Sequence, residues 1–412
     1  MENAAGAVAV SASRTPRKPP RILIVAGEAS GDHHASRLVA AIRELSPQAE
    51  FFGIGGDALA AQGVRILCPA ADLAVVGLLE VAGRLPAVWR ALVDIGRALK
   101  TQRPDLAILV DFPDFNFWVA RLARYQRVPV MYYISPQVWA WRTYRVKTLA
   151  RLVDRMVVIF PFEADFYRER GVAATYVGHP FRETLPPLAE RRAFLTQLGL
   201  DPEALTIALL PGSRESEIER HLPLMLQAAN LIRQAIPPTQ FLLPLASTAP
   251  RELVEKLVAE SWGEGPSASR LLPQNGGPPL KIIPGQAYQA LGAAHLAVVA
   301  SGTATVEAAL AAVPTVIVYR LSPVTYAVGR RLIRVAHVGM ANLLAGERVF
   351  PELLQDDFTP ARLAQEVLEL IREPECLAAV RRGLARVVRR LGVPGASRRA
   401  AQVALKIMGL LK

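Results

Sequence analysis

Short, uninterrupted aliphatic runs recur along the chain, each followed by a small-residue turn and a helical period. That alternation limits the open folds more than any other feature. Arg21–Ala26, Phe51–Ile54, Leu106–Val110, Pro129–Ile134 and Met156–Phe160 read as strands in the first half. Thr206–Leu210, Phe241–Leu245, Lys281–Ile283, Leu296–Val299 and Thr315–Tyr319 read as strands in the second. Strands that are apolar on both faces must be covered on both faces, as in a parallel sheet between layers of helices. The pattern lapses after Val177-Gly178-His179-Pro180 into Pro186-Pro187 and Glu190-Arg191-Arg192, placing a boundary between about Phe181 and Asp201. A chain of 412 residues has room for two cores. The expectation is an α/β protein of two doubly wound, Rossmann-like domains, residues 21–185 and 186–412, facing each other across a cleft at their strand ends.

Outside that pattern, residues 1–20 read as a disordered leader. Glu2 stands where a signal peptide would be basic, and Arg14, Arg17, Lys18, Pro19 and Pro20 follow. Trp262 to Pro279 is rich in Gly, Ser and Pro and reads as an exposed insertion. The last helical period, about Gly395 to Leu410, is long enough to pack back on the first domain.

Composition narrows the function. The 48 Lys and Arg against 36 Asp and Glu give a net charge of +12, which calls for an anionic partner. From Cys376 onward there are nine basic residues and no carboxylate, from Arg381 to Lys412. A second cluster between Arg121 and Arg155 is interleaved with Tyr125, Tyr132, Tyr133, Trp139, Trp141 and Tyr144. Leu85, Val88, Trp89, Leu92, Val93 and Ile95 fall at helical spacing among Arg84, Arg90, Arg97 and Lys100, as in a basic amphipathic helix at a membrane surface; a buried core helix fits the same spacing. The most apolar stretch, Leu296 to Val318, is interrupted by Ser301, Gly302, Thr303, Glu307 and Pro314, so no integral membrane protein is expected. Two distant cysteines, Cys68 and Cys376, exclude a disulfide scaffold, and neither they nor the six histidines have metal-ligand spacing.

Four loops that follow strands carry chemistry, at the position where open α/β sheets bind ligands. Gly27-Glu28-Ala29-Ser30-Gly31-Asp32 joins a flexible backbone to two carboxylates, although Asp32 is also a natural helix cap. Asp111-Phe112-Pro113-Asp114-Phe115-Asn116 places two carboxylates three residues apart; burial of one would raise its pKa and make it a better base. Leu210-Pro211-Gly212-Ser213-Arg214 offers amides, a hydroxyl and a guanidinium to a pyrophosphate. Ser301-Gly302-Thr303 repeats that design, with Glu307 one turn into the helix placed to accept ribose hydroxyls. His179 reads as a packing or capping residue at the domain boundary. Neither GxGxxG, GxxxxGK[ST] nor GxSxG occurs, which disfavours a dinucleotide fold, a P-loop and an α/β-hydrolase.

GEASGD (27–32), DFPDFN (111–116), SPQVWAW (135–141), PFE (161–163), GHP (178–180), LPGSR (210–214), SGT (301–303) with Glu307, and NLLAG (342–346) stand in the order found in lipid-A-disaccharide synthases, which the chain resembles from about Arg21 to beyond Pro351. The resemblance implies the GT-B fold and an inverting, metal-independent glycosyltransferase without a resident cofactor. Its substrates would be UDP-2,3-diacylglucosamine and 2,3-diacylglucosamine 1-phosphate, its products the β-1,6-linked disaccharide 1-phosphate of lipid A biosynthesis and UDP. Carried over by motif, Asp111 is the base. Glu28, Ser30 and Asp32 touch the sugars, and Asp114 and Asn116 orient the acceptor or Asp111. Gly212, Ser213, Arg214, Ser301, Gly302, Thr303, Glu307 and Asn342 hold UDP or the donor sugar.

The expected setting is cytoplasmic, peripheral to the anionic inner face of the inner membrane. A homodimer is left open. Another UDP-sugar GT-B transferase or an epimerase is the alternative. RNA binding would leave Asp111 and Asp114 without a role, so no nucleic-acid partner is expected.

Overall fold

The computed structural model describes residues 18–73, 81–140, 142–246, 248–262, 280–322, 326 and 337–411, with side chains from residue 86 onward in the helix Val81–Gln102. The leader up to residue 17, Trp141, the insertion from 263 to 279, the side chains of Arg84 and Leu85, and Lys412 lie outside the described residues.

The first sheet contains β1 (Arg21–Ala26), β2 (Glu50–Gly55), β3 (Arg65–Pro69), β4 (Leu106–Val110), β5 (Val130–Tyr133), β6 (Arg155–Val158) and β7 (Ala174–Tyr176), in the order β3-β2-β1-β4-β5-β6-β7. The second contains β8 (Leu205–Leu210), β9 (Thr239–Leu245), β10 (Leu280–Pro284), β11 (Leu296–Ala300), β12 (Thr315–Tyr319) and β13 (Glu352–Leu354), in the order β10-β9-β8-β11-β12-β13. Each register that is defined is parallel. Central strands are sealed on both faces: Ile22 to Ala26 and Leu106 to Val110 are fully buried. This is the physical content of their unbroken aliphatic sequence.

Three strands escape the sequence reading, β3, β7 and β13, and all three are sheet edges. Their residues are largely half-buried, so they lack the continuous apolar run that marks an interior strand.

Each order reverses direction once, between β1 and β4 in the first sheet and between β8 and β11 in the second. The loops leaving such a pair diverge to opposite sides and open a crevice at the strand ends. Those four strand exits are the four motif loops.

By contacts the chain forms two compact units, one of residues up to 136 with 149–157 and 397 onward, the other of 137–148 and 158–396. The segment 158–185, which the strand–helix alternation groups with the first half, clusters with the second unit. There the Tyr176 hydroxyl donates to the Arg390 carbonyl, the His179 N–H to the Leu391 carbonyl and the Gly395 N–H to the Glu183 carboxylate. The last helix, Ala396–Ile407, falls in the first unit apart from its first residue, with Arg398 3.9 Å from Glu44.

Candidate active site

Asp111 follows β4 with a left-handed backbone, φ 45°, and Phe112 comes next at φ 47°. Two successive non-glycine residues in that region cost roughly 1–2 kcal/mol each, so the surroundings must hold them there. The Asp111 carbonyl accepts the Tyr132 hydroxyl at 2.7 Å and the Asn116 side-chain amide at 2.7 Å, while its N–H reaches the Tyr133 carbonyl at 3.3 Å. The turn throws the Phe112 ring over the β1 exit. A Cβ on Gly27 would lie 2.2 Å from that ring, so only glycine fits where the two motif loops meet.

The Asp111 carboxyl is pushed up from 3.8 to about 6, chiefly by burial and then by the negative charge of Glu28; the Phe112 N–H pulls it partly back. A carboxylate of that basicity is ionised at neutral pH and accepts a proton more readily than an exposed one. Glu28, Ser30 and Asp114 are exposed on the two motif loops, and Asn116 is fully buried beneath the turn.

Asp32, expected to touch the sugars or to cap a helix, is engaged within the chain. Its buried carboxylate accepts the N–H groups of Gly56, Ala58 and Leu59 at 2.7, 2.9 and 3.4 Å. It therefore caps the helix Asp57–Ala61 that follows β2, and ties the GEASGD loop to Gly53-Ile54-Gly55-Gly56.

In the second unit, Gly212 is half-buried, and Ser213 and Arg214 are exposed between β8 and the helix Glu215–Ala235. His221, on that helix, is fully buried; its Nδ1 lies 2.7 Å from the Pro211 carbonyl and its Nε2 accepts the Arg320 N–H at 3.0 Å. Burial pushes its pKa down, which favours the neutral ring that this donor–acceptor pair requires. Beside it, Gly302 and Thr303 are exposed after β11, and the Ser301 hydroxyl donates to the Val338 carbonyl at 2.9 Å. Glu307, on the helix Ala304–Leu310, is raised by burial from 4.5 to about 7. A carboxyl so placed is set to accept hydroxyl hydrogen bonds.

Asn342, expected to meet the phosphates or donor sugar, is also held by bonds within the chain. It is fully buried, donates to the Phe350 carbonyl and the Glu352 carboxylate, and accepts the N–H groups of Val349 and Phe350. Both amide hydrogens and both lone pairs of its oxygen are used within the chain. Glu352 in turn accepts the N–H groups of Val338 and Gly339 at 3.1 and 3.0 Å, so NLLAG and the Ser301 loop share one polar scaffold.

His179 packs between the rings of Phe160 and Phe181, at 5.1 and 4.7 Å, and accepts the Phe181 N–H. The indole N–H of Trp139 donates to buried Glu163 at 3.0 Å, joining SPQVWAW to PFE. Sequence reasoning misses Tyr132 and Glu352, which carry no local signal. Glu217 sits three residues after Arg214 at capping-box spacing, a signal that could have been read. Among the described residues, no three His, Cys, Asp or Glu side chains converge as metal ligands would.

A family model for lipid-A-disaccharide synthetase matches residues 22–407. The chain is 47% identical over 390 residues to a lipid-A-disaccharide synthase of Myxococcus xanthus, spanning 95% of this chain and 98% of that one. The chain belongs to the lipid-A-disaccharide synthetase family. A relative from Geobacter metallireducens, also a lipid-A-disaccharide synthase, is 44% identical over 389 residues, with 94% and 97% of the two chains covered.

Solved structures share the fold of this lipid-A-disaccharide synthetase family member at low identity. A UDP-GlcNAc 2-epimerase of Neisseria meningitidis bound to UDP-GlcNAc has a TM-score of 0.59 at 13% identity, covering 94% of this chain and all of that one (100%). A glycosyltransferase from Rickettsia africae has a TM-score of 0.57 at 11% identity, covering 95% and 99%. The architecture is GT-B, and the family member is a glycosyltransferase of lipid A biosynthesis.

Proposed function

We propose that the enzyme transfers the sugar of UDP-2,3-diacylglucosamine to the 6-hydroxyl of 2,3-diacylglucosamine 1-phosphate with inversion, giving the β-1,6-linked disaccharide 1-phosphate and UDP. The observation that carries this reading is Asp111, a half-buried carboxyl raised by desolvation to about 6 and clamped at a strand exit between GEASGD and the DFPDFN helix. It takes the proton of the acceptor hydroxyl as that oxygen attacks the anomeric carbon. Glu28, Ser30 and Asp114 bind the sugars, and Asn116 holds Asp111 rather than the substrate.

As the bond from the anomeric carbon to the β-phosphate breaks, its electron pair stays on UDP. Fixed dipoles and cations must then stabilise the charge. Gly212, Ser213, Arg214, Ser301, Gly302 and Thr303 supply them, and Glu307 accepts the ribose hydroxyls. Asp32 and Asn342 serve by holding the loops that make these contacts. The test is UDP release by the purified protein in detergent and chelator, with and without the acylated acceptor. Release that needs the acceptor, survives chelation and collapses in Asp111→Ala supports the reading; tight UDP binding without release on these lipids sends the assignment to another UDP-sugar.

Acylated substrates place the enzyme at the cytoplasmic surface of the inner membrane. On the helix Val81–Gln102, Ala91, Ile95, Ala98 and Leu99 face the core, while Trp89 and Val93 stay exposed beside Arg90, Arg97 and Lys100. Trp118 is exposed too, with the Arg121 guanidinium 4.8 Å from its ring. Exposed aromatics among cations fit an anionic lipid surface. Partitioning onto vesicles should rise with anionic lipid and fall in Trp89→Glu; partitioning indifferent to both would contradict it. No described helix is long and apolar enough to cross a membrane.

A further inference from the structure

The diphosphate loop after β8 already holds an anion, and that anion belongs to the chain. Glu217 turns back from the first turn of its helix so that Oε2 accepts the N–H of Ser213 at 3.1 Å and of Arg214 at 3.4 Å. Its Oε1 accepts the Tyr319 hydroxyl at 3.4 Å and lies 3.9 Å from the Arg214 guanidinium. Two amides, a guanidinium and a phenol are donors that a phosphate would also use. The carboxylate sits close against Gly212, where φ is +122° and a Cβ would lie 2.4 Å from Oε2. Ser213 lies one residue before the helix cap, so its bond goes beyond what capping the helix requires. The Arg214 side chain is 77% exposed and that of Glu217 only 16%.

A diphosphate cannot take the Ser213 and Arg214 amides while Glu217 keeps them, and its charge repels the carboxylate. We propose that Glu217 is an internal competitor for the diphosphate site: it satisfies the loop amides in the empty enzyme, gives them up to UDP-sugar, and reclaims them as UDP departs. This rests on reading residues 211–214 as the diphosphate site. The exchange works hardest on product. When the acceptor oxygen attacks and the anomeric carbon–oxygen bond breaks, the pair left on the β-phosphate adds charge to UDP, which would otherwise bind the loop tighter than the donor did. A returning carboxylate offsets that gain.

Glu217→Gln keeps a carbonyl acceptor for the amides and a residue suited to the capping box, and removes the charge. The experiment is calorimetric titration of UDP, with uridine measured by displacement, on wild type, Glu217→Gln and Arg214→Ala. The expected result is UDP about tenfold tighter in Glu217→Gln, a modest release of like-charge repulsion at a partly exposed site, with uridine unchanged. Arg214→Ala should weaken UDP by a similar factor and leave uridine alone.

If Arg214→Ala weakens UDP while Glu217→Gln weakens it or leaves it unaltered, Glu217 is only a cap and the proposal falls with the loop assignment intact. If Arg214→Ala leaves UDP affinity unchanged, the loop assignment itself falls. A crystal structure with UDP gives a second, independent reading. Glu217 should have left the Ser213 amide to a phosphate oxygen, and a carboxylate still bonded to both amides beside bound UDP overturns the exchange.

Discussion

A carboxyl held partly desolvated at Asp111 should make the protein less stable than it could be, and Asp111→Asn exposes the amount. The carboxyl rises from 3.8 to about 6 on folding. At about 1.4 kcal/mol per pH unit, ionising it in the folded protein costs about 3 kcal/mol. The sign follows from which state binds the proton. Below about pH 4 the carboxyl is protonated folded or unfolded, and contributes nothing. Between about pH 4 and 6 the unfolded chain loses the proton while the folded one keeps it, so stability falls as pH rises. Above about 6 the full cost is present.

Asparagine is neutral, has the shape of the acid and tolerates the left-handed backbone better than most residues. The variant should therefore match wild type at pH 4 and exceed it by up to about 3 kcal/mol at pH 8, roughly 6–12 °C in melting temperature for a unit of this size. Its kcat/KM should fall by a factor of about 100 to 10,000, the range of a lost general base. Melting curves of both proteins across that pH range, with the donor-plus-acceptor assay, read both effects. A stabilisation equal at pH 4 and pH 8, or none at pH 8, refutes the claim that the carboxyl is desolvated.

Other outcomes follow from the same geometry. Since the Glu28 charge is the second cause of the raised Asp111 pKa, Glu28→Gln should move the acid limb of the kcat/KM profile below its wild-type midpoint near 6; a limb that stays in place separates the two carboxylates. Gly27→Ala should lose stability and activity together, because the new methyl meets the Phe112 ring, and Phe112→Leu should recover about 1–2 kcal/mol of the loss in a double-mutant cycle by denaturant melts. Asn342→Ala strands the Phe350 N–H and carbonyl and removes one donor from Glu352 and one acceptor from the Val349 N–H, and should cost roughly 2–4 kcal/mol in the same melts. A loss of UDP affinity without that destabilisation would instead mean direct contact with the ligand.

The interior strands were legible because burial on both faces writes itself as unbroken Ile, Leu and Val. The edge strands β3, β7 and β13 were not, because a half-buried edge needs no such run. Motif loops were placed by their position after strands; the spacing offered Asp111 and Asp114 as a pair, and the family resemblance chose Asp111. The left-handed turn at Asp111 was invisible, since it depends on a tyrosine 21 residues away and an asparagine five away. The partners of Asn342 and Asp32 were equally hidden: their hydrogen bonds run to backbone 7 to 8 and 24 to 27 residues away, spacings without a sequence signature. In the helix Val81–Gln102, one run of apolar positions serves two faces, a buried one at Ile95 and an exposed one at Trp89 and Val93.

The central claim is a transfer with inversion onto the 6-hydroxyl of an acylated glucosamine 1-phosphate. Its most direct test is to incubate the purified enzyme with UDP-2,3-diacylglucosamine and 2,3-diacylglucosamine 1-phosphate, isolate the lipid product, and determine its mass and its linkage by NMR. A tetraacylated disaccharide 1-phosphate with a β-1,6 linkage, absent from the Asp111→Asn reaction, is the result the account predicts. An α linkage, attachment at another hydroxyl, or an undiminished yield from the variant would contradict it.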